Sequence, residues 1–380
     1  MYYARDTAEK LKNSSQVVIY GAGLVAYEAA ACLMGEPYGV RIECFLVSCR
    51  EGNPDTMLGL PVFTLEEGTD RIGKEALIVA AVMGKYLDEI REGLHKKGYV
   101  HVLPMTFESD LWSMIQGDYY RHLCLGRGKK YRTLEEELER VHMPEEALEE
   151  KVHNVRIYTA RCHVDRPLSE DLSRYSWETP IQAGAALTGE AICDVRDHVG
   201  DNISHKNGQY CELTALYWIW KHDSSSYAGL GHYRRHFELD EDMLKRLAYS
   251  DIDVVLTIPI LNFPSVGQVY DHDHVAGDWA VMMEAVHTLA PDYEATAREL
   301  EKGNFYYGYN MFIARKEILD DYCAWLFPIL EYCEERCGER EGTYQKRYIG
   351  FLAERLMGIY FLSHEDDYKI VHVRKHFVEG

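Results

Sequence analysis

The sequence has no apolar run approaching the ~20 residues that span a bilayer, and its first residues, MYYARDTAEKLKNSS, lack the apolar core of a secretory leader. Neither a leader nor a transmembrane segment is expected. The reading is of a cytoplasmic protein, with transient association at a membrane surface left open. Excess positive charge is absent too: 41 Lys and Arg stand against 62 Asp and Glu, a net charge of −21. Phosphate backbones are bound through a basic footprint, so nucleic acid is not expected as a partner. The ten cysteines form no C-x-x-C pair and no Cys/His ladder with zinc spacing. They read as reduced, mostly buried thiols rather than a disulfide or zinc framework. Internal repeats and low-complexity tracts are also missing.

What is present is an ordinary globular composition, 47% hydrophobic and 27% charged over 380 residues, enough for two domains that each bury a core. The chain begins a strand–helix alternation at QVVIY (16–20), followed at once by GAGLVAYEAAACLM, with Val25, Ala29, Cys32 and Leu33 at helical spacing. RIECFLVS (41–48), ALIVAAV (76–82) and YVHVLP read as further strands, and KYLDEIREGLHKKG as a helix. This alternation predicts a parallel, Rossmann-like sheet ending near residue 125. Residues 126–152 differ: eight glutamates fall between Leu134 and Glu150, and Thr133 with Glu136 forms a capping box. A charged, solvated helical linker is expected there.

A second α/β series occupies 153–380. VRIYTA, YAGLGHY, DIDVVLTIPI and YKIVHVRK read as strands, and QYCELTALYWIWK, KEILDDYCAWLFPILEYCEE and YIGFLAERLMGIYFL as helices with one apolar face.

Two constellations carry chemistry. Gly21-x-Gly23-x-x-Ala26 lies between a strand and a helix, where a dinucleotide fingerprint belongs: a tight turn, close approach of a pyrophosphate, and close helix–strand packing. The acid that should follow the second strand is missing, since Ser48, Cys49 and Arg50 stand there. NAD(P) is therefore not expected as a cofactor; the alternative is a Rossmann-type turn with an altered ligand. The second constellation is spread through the later series. Asp201, Asn202, Ser204, Lys206 and Asn207 form a polar loop before an apolar helix, suited to hydroxyls or phosphates or, equally, to plain capping. His232-Tyr233-Arg234-Arg235-His236 leaves a core strand, Asp271-His272-Asp273-His274 and Asp278 read as a loop between core elements, and Asn310 opens a strand.

The segments TPIQAGAALTG, GDNISHKNGQYCELTALYWIWK, YAGLGHYRRHF, YNMFIARKEILDDYCAWLFPIL and RYIGFLAERL occur in this order from about Val155 onward. In these the chain resembles a glycosyltransferase-like family of capsular and exopolysaccharide biosynthesis clusters, long without an assigned function. The resemblance implies a GT-A-like α/β domain, a nucleotide-sugar donor and a glycan or lipid-linked acceptor. The first domain, with YGAG and the later GLPVFTLEE, is more loosely similar to Rossmann-like domains that accompany polysaccharide enzymes.

In many GT-A enzymes the strand corresponding to YAGLGHY ends in an Asp-x-Asp motif that holds a divalent metal. Here GHYRR stands in that place. The resemblance thus implies that Arg234 and Arg235 hold the diphosphate through their planar donors, so that no metal is required. The alternatives are arginines that only pair with carboxylates to hold the fold, or a metal on the DHDH stretch. Arg234, Arg235 and Lys206 are then candidates for the leaving diphosphate, with Asp201, Asn202, Ser204, Asn207, His232 and Asn310 completing donor binding. Asp278, His272, Asp273, His274 and Glu354 are the candidate bases. Two other functions fit less of the sequence: an NAD(P)-dependent enzyme acting on nucleotide sugars, and a non-catalytic sugar-nucleotide-binding module.

Overall fold

The computed structural model describes residues 2–144, 154–170 and 172–378. The chain divides into two compact units, Met1–Lys130 and Tyr131–Gly380. Both are mixed α/β with parallel-dominated sheets, as the alternation of strands and helices predicts.

The first unit has six strands: β1 (Val17–Tyr20), β2 (Ile42–Val47), β3 (Thr56–Met57), β4 (Leu60–Thr64), β5 (Leu77–Ala80) and β6 (Val102–Pro104), in the order β3-β4-β2-β1-β5-β6. All pairs are parallel except the β3–β4 hairpin. β1 and β5 are fully or almost fully buried, the continuous apolar run expected of a parallel sheet covered on both faces. The chain leaves β1 through Gly21, whose φ of +122° and position against the Ala81 carbonyl (2.7 Å from where a Cβ would sit) admit no side chain.

The second unit holds β7 (Val155–Arg161), β8 (Thr179–Gln182), β9 (Val195–Arg196), β10 (Tyr227–His232), β11 (Arg235–Phe237), β12 (Val254–Thr257), β13 (Ile260–Leu261), β14 (Phe305–Tyr306), β15 (Phe312–Arg315), β16 (Ile370–Val373) and β17 (Lys375–Phe377). The main sheet runs β16-β12-β15-β10-β7-β8-β9, with β15 antiparallel to both neighbours and the other adjacent pairs parallel. Successive residues alternate between two cores. Tyr158, Ala228, Leu230 and Val254 join the larger core with Leu216, Leu326 and Leu356 from the helices, whereas Ile157, Tyr227 and Val255 join the smaller one on the opposite face. Of the two glycines of YAGLGHY, Gly229 is explained by crowding: a Cβ on it would lie 2.7 Å from Ile313 Cγ1 and 3.0 Å from the Phe312 carbonyl.

The stretch expected as a solvated linker is packed where its first part is described. Thr133 caps the short helix Leu134–Leu138, accepting from the Glu136 N–H at 3.3 Å, but Leu134 and Leu138 are buried in the smaller core. Glu137 pairs with Lys369 at 2.6 Å. Of the glutamates between these leucines only Glu135 is exposed, and Glu137 is buried. Residues 145–152 of the expected linker lie outside the described residues.

This docking buries His372. Its Nε2 lies 2.8 Å from the Tyr307 hydroxyl and its Nδ1 3.3 Å from the Arg132 carbonyl, and burial pushes its pKa down to about 4. The unfolded chain therefore binds a proton that the native state does not between about pH 6.5 and pH 4. Stability from this group is complete above the unfolded value and lost as pH falls through that window, by roughly 3 kcal/mol. Urea unfolding at pH 7.5, 6 and 5 should show this slope, and His372→Gln should flatten it; parallel slopes in the two proteins would refute the assignment.

Candidate functional site

β7 and β10 are adjacent and parallel, with His232 opposite Ala160, so their carboxyl ends open side by side. Ligands of open α/β sheets bind outside such ends. From β10 the chain turns through Tyr233 and Arg234 into β11, which pairs in turn with β17. The packed basic stretch is thus a tight hairpin, and its members part company. His236 is 1% exposed and faces Glu178 at 2.8 Å; Glu178 also accepts from the Thr159 hydroxyl, and Tyr175 stacks on the imidazole at 4.3 Å. It is a strut beneath the hairpin. Arg234 lies over Phe377 (4.6 Å) and its Nε donates to the Val378 carbonyl at 3.1 Å. Arg235 stacks its guanidinium between Tyr309 (4.1 Å) and Phe377 (5.1 Å).

Beside the hairpin a polar cluster converges from four elements. Glu212, at the start of the helix Leu213–His222, accepts from Asn310 Nδ2 at 2.7 Å through Oε1, while its Oε2 lies 3.4 Å from His232 Nε2. Glu354, on the helix Tyr348–Ser363, accepts the Tyr309 N–H at 2.8 Å and pairs with Arg355 at 2.8 Å. Arg347 precedes the same helix and points its Nε at Cys211 Sγ, 3.1 Å away. Asp165, on the loop after β7, accepts the Cys162 N–H at 2.7 Å.

The backbone here is strained. Cys211, Tyr309 and Asn310 have φ of 51°, 68° and 51°, values that cost non-glycine residues of order 1–3 kcal/mol each and gather at functional sites. Two buried polar atoms of the cluster, His232 Nδ1 and Asn310 Oδ1, have no hydrogen-bond partner among the described residues. Buried groups are normally satisfied.

The two glutamates are driven apart in acidity. Burial pushes Glu354 up, and the nearby Glu212 charge adds to it against Arg355, the Tyr309 N–H and Arg235. Burial would raise Glu212 too, but His232 and Asn310 outweigh it and hold that carboxyl below its ordinary value. The two carboxyls are thus shifted in opposite directions from their ordinary values.

The other sequence candidates go elsewhere. Lys206 pairs with Glu334 at 2.7 Å, an oxygen shared with the Tyr210 hydroxyl, rather than joining the arginines. Ser204 donates to Asp197, which clamps the Gly184 and Ala185 N–H groups; Asn202 bonds the His198 and Gly200 carbonyls; Asp201 accepts from Tyr217 at 3.2 Å. These are loop supports. Asn207 lies nearer, bonding the Cys211 carbonyl at 2.7 Å, and so holds the strained turn before Glu212.

Asp271, His272, Asp273 and Asp278 are not in a loop, because Ser265 caps a helix Val266–Asp273 and a second helix runs Ala276–Leu289; His274 lies in the short link between the two. His272 is exposed and bound to Asp273 at 2.8 Å. His274 stacks on Phe351 at 4.2 Å, and burial, helped by Arg355, pushes it down to about 4. Asp278 is fully buried on Arg340. Of the five candidate bases, only Glu354 joins the cluster.

The family model described as a domain of unknown function (DUF4422) matches residues 156–365, more than half of the chain. The chain belongs to that family. The DUF4422 segment spans every element of the cluster from Asp165 to Arg355. Among solved structures, the chain is similar to the apo structure of the WbbM bifunctional glycosyltransferase, at 28% identity and a TM-score of 0.53, over 60% of this chain and 45% of that one. It thus spans less than half the length of that neighbour. No curated protein matches. Among the described residues no helix is long and apolar enough to cross a membrane.

Glu212, Arg347, Cys211 and Asp165 were not among the sequence candidates. Glu212 stands in YCELTAL, where a carboxylate at a helix start reads as a complement to the helix dipole. Asn310 was found because it opens a strand, but its left-handed backbone and its bond to Glu212 are tertiary facts.

Proposed function

We propose that the second unit is a GT-A-like glycosyltransferase domain that moves a sugar from a nucleotide-sugar donor to a hydroxyl of a growing capsular, exopolysaccharide or lipid-linked glycan. The observation that carries this reading is the cluster itself. Two carboxylates of split acidity, two unpartnered buried polar atoms and the stacked Arg235 meet at the carboxyl ends of parallel strands, in a chain similar to a glycosyltransferase structure.

In this reading Arg235, with Arg234 beside it and Arg347 across the cluster, faces the donor diphosphate. His232 Nδ1 and Asn310 Oδ1 meet sugar hydroxyls. The acceptor oxygen attacks the anomeric carbon, its proton passes to the Glu354 carboxylate, and the bond to the diphosphate breaks with the electron pair leaving on phosphate. Glu212 remains ionised and fixes Asn310. The charge of the leaving group falls on guanidinium groups, which act without a metal.

A ligand that binds only the folded state raises its melting temperature by mass action. A thermal-shift screen of UDP-, GDP-, CMP- and dTDP-sugars, beside NAD(H) and NADP(H) and with EDTA present, is expected to give one nucleotide class that stabilises the chain and no response to nicotinamide cofactors. Stabilisation by a donor without transfer to any acceptor would leave the binding-module reading. Stabilisation by NAD(P)H alone would overturn the proposal.

A further inference from the structure

The first unit has its own cleft of about 570 Å³, lined by Tyr20, Ala22, Ser48, Val82, Tyr86 and Glu89 among others. It opens beyond the carboxyl ends of β1, β2 and β5, where the sheet order reverses from β2 to β5 across β1. That switch point is where doubly wound sheets take ligands, and the volume is that of a small-molecule site.

Charge restricts the occupant. Glu66, Glu89 and Glu92 line the cleft against one cation, Lys96, which pairs with Glu92 at 2.6 Å. Glu66 is paired with Lys97 at 2.5 Å, which leaves Glu89 as the lining carboxylate without an ion pair among the described residues. Arg50, which follows β2, is turned away onto Glu67 (2.8 Å) and the Val62 carbonyl (2.7 Å). No unpaired cation of the described lining faces a phosphate, and the Glu89 charge repels one placed beside it.

Shape and polarity indicate what fits instead. Val47, Leu65, Val82 and Ile90 give apolar walls, and the exposed Tyr86 ring, with Lys85 Nζ 4.8 Å from its centroid, suits a flat heterocycle. Tyr20 and Ser48 share a hydrogen bond at 2.9 Å, one hydroxyl on each of two strand ends. A carboxylate that receives a ribose diol is normally supplied at the end of the second strand. In this chain that place holds Ser48 and Cys49, and Glu89 stands on the helix Leu87–Lys96, another element of the cleft lining.

We propose that this cleft binds an uncharged nucleoside, with the base between the apolar walls and the ribose hydroxyls donating to Glu89. The proposal is independent of the function assigned to the second unit.

The test is isothermal titration of the full chain with adenosine, guanosine, uridine, cytidine and thymidine, beside their 5′-monophosphates, NAD⁺ and neutral monosaccharides. One nucleoside is expected to bind, at least tenfold more tightly than its monophosphate. Glu89→Ala and Tyr86→Ala should each weaken it tenfold or more, while Arg235→Ala in the other unit leaves it unchanged. Glu89 and Tyr86 are exposed side chains, so melting temperatures without ligand should match the parent protein. The proposal is overturned if no nucleoside binds, if NAD⁺ or a monophosphate binds more tightly, if only monosaccharides bind, or if binding ignores Glu89 and Tyr86.

Discussion

Glutamine at position 354 is expected to lower kcat for glycosyl transfer by about 10²–10⁴, the usual contribution of a positioned general base. Glutamine keeps an oxygen for the Tyr309 N–H, so the strained turn survives and donor affinity should change little. The pH profile separates this role from a structural one. Glu354 must be ionised to accept a proton, and burial raises its pKa, so kcat/KM should fall on the acid side through a limb placed above the ordinary carboxylate range. Glu212 lies close enough to add to that rise. Glu212→Gln removes the like charge, so the acid limb should move to lower pH even though the maximal rate also drops. An acid limb that stays put in Glu212→Gln, or full activity in Glu354→Gln, would remove Glu354 from the mechanism.

Alanine at position 235 should weaken donor binding about ten- to a hundredfold, the equivalent of a charge-assisted hydrogen bond of roughly 1.5–3 kcal/mol. Lysine should restore only part of this, because an ammonium has no planar fork and cannot stack between Tyr309 and Phe377 in the same way. Those two ring contacts also mean that Arg235→Ala will lower the melting temperature. The deciding measurement is therefore nucleotide-sugar affinity of the folded fraction, by calorimetry, with EDTA present throughout. If the arginine only holds the hairpin, affinity stays at the parental value while stability falls. Turnover abolished by EDTA and restored by manganese would return the diphosphate to a metal.

Arg234 is less exposed to this test. Its Nε already serves the Val378 carbonyl, and among the described residues its ring contact is with Phe377. The two arginines are neighbours in sequence but alternate across the hairpin, so their surroundings differ.

The sequence by itself determined the two α/β series, the apolar core strands, and the glycine turn that follows β1. These follow from periodicity and backbone sterics, which are local. It also pointed to β10 and its basic hairpin, because two arginines at the end of an apolar strand stand out in a chain of net charge −21. Which polar residues face one another was decided by the tertiary structure. Lys206 and Asp278 looked available and are bound to Glu334 and Arg340, partners 128 and 62 residues away in the chain. Glu212 looked like a helix-start carboxylate and became the centre of the cluster, because the Asn310 turn and the end of β10 arrive beside it. Acidity behaved in the same way. A glutamate reads alike wherever it is written, whereas burial and the charge of a second glutamate, which set Glu354 apart, exist only once the final helix has packed against the sheet.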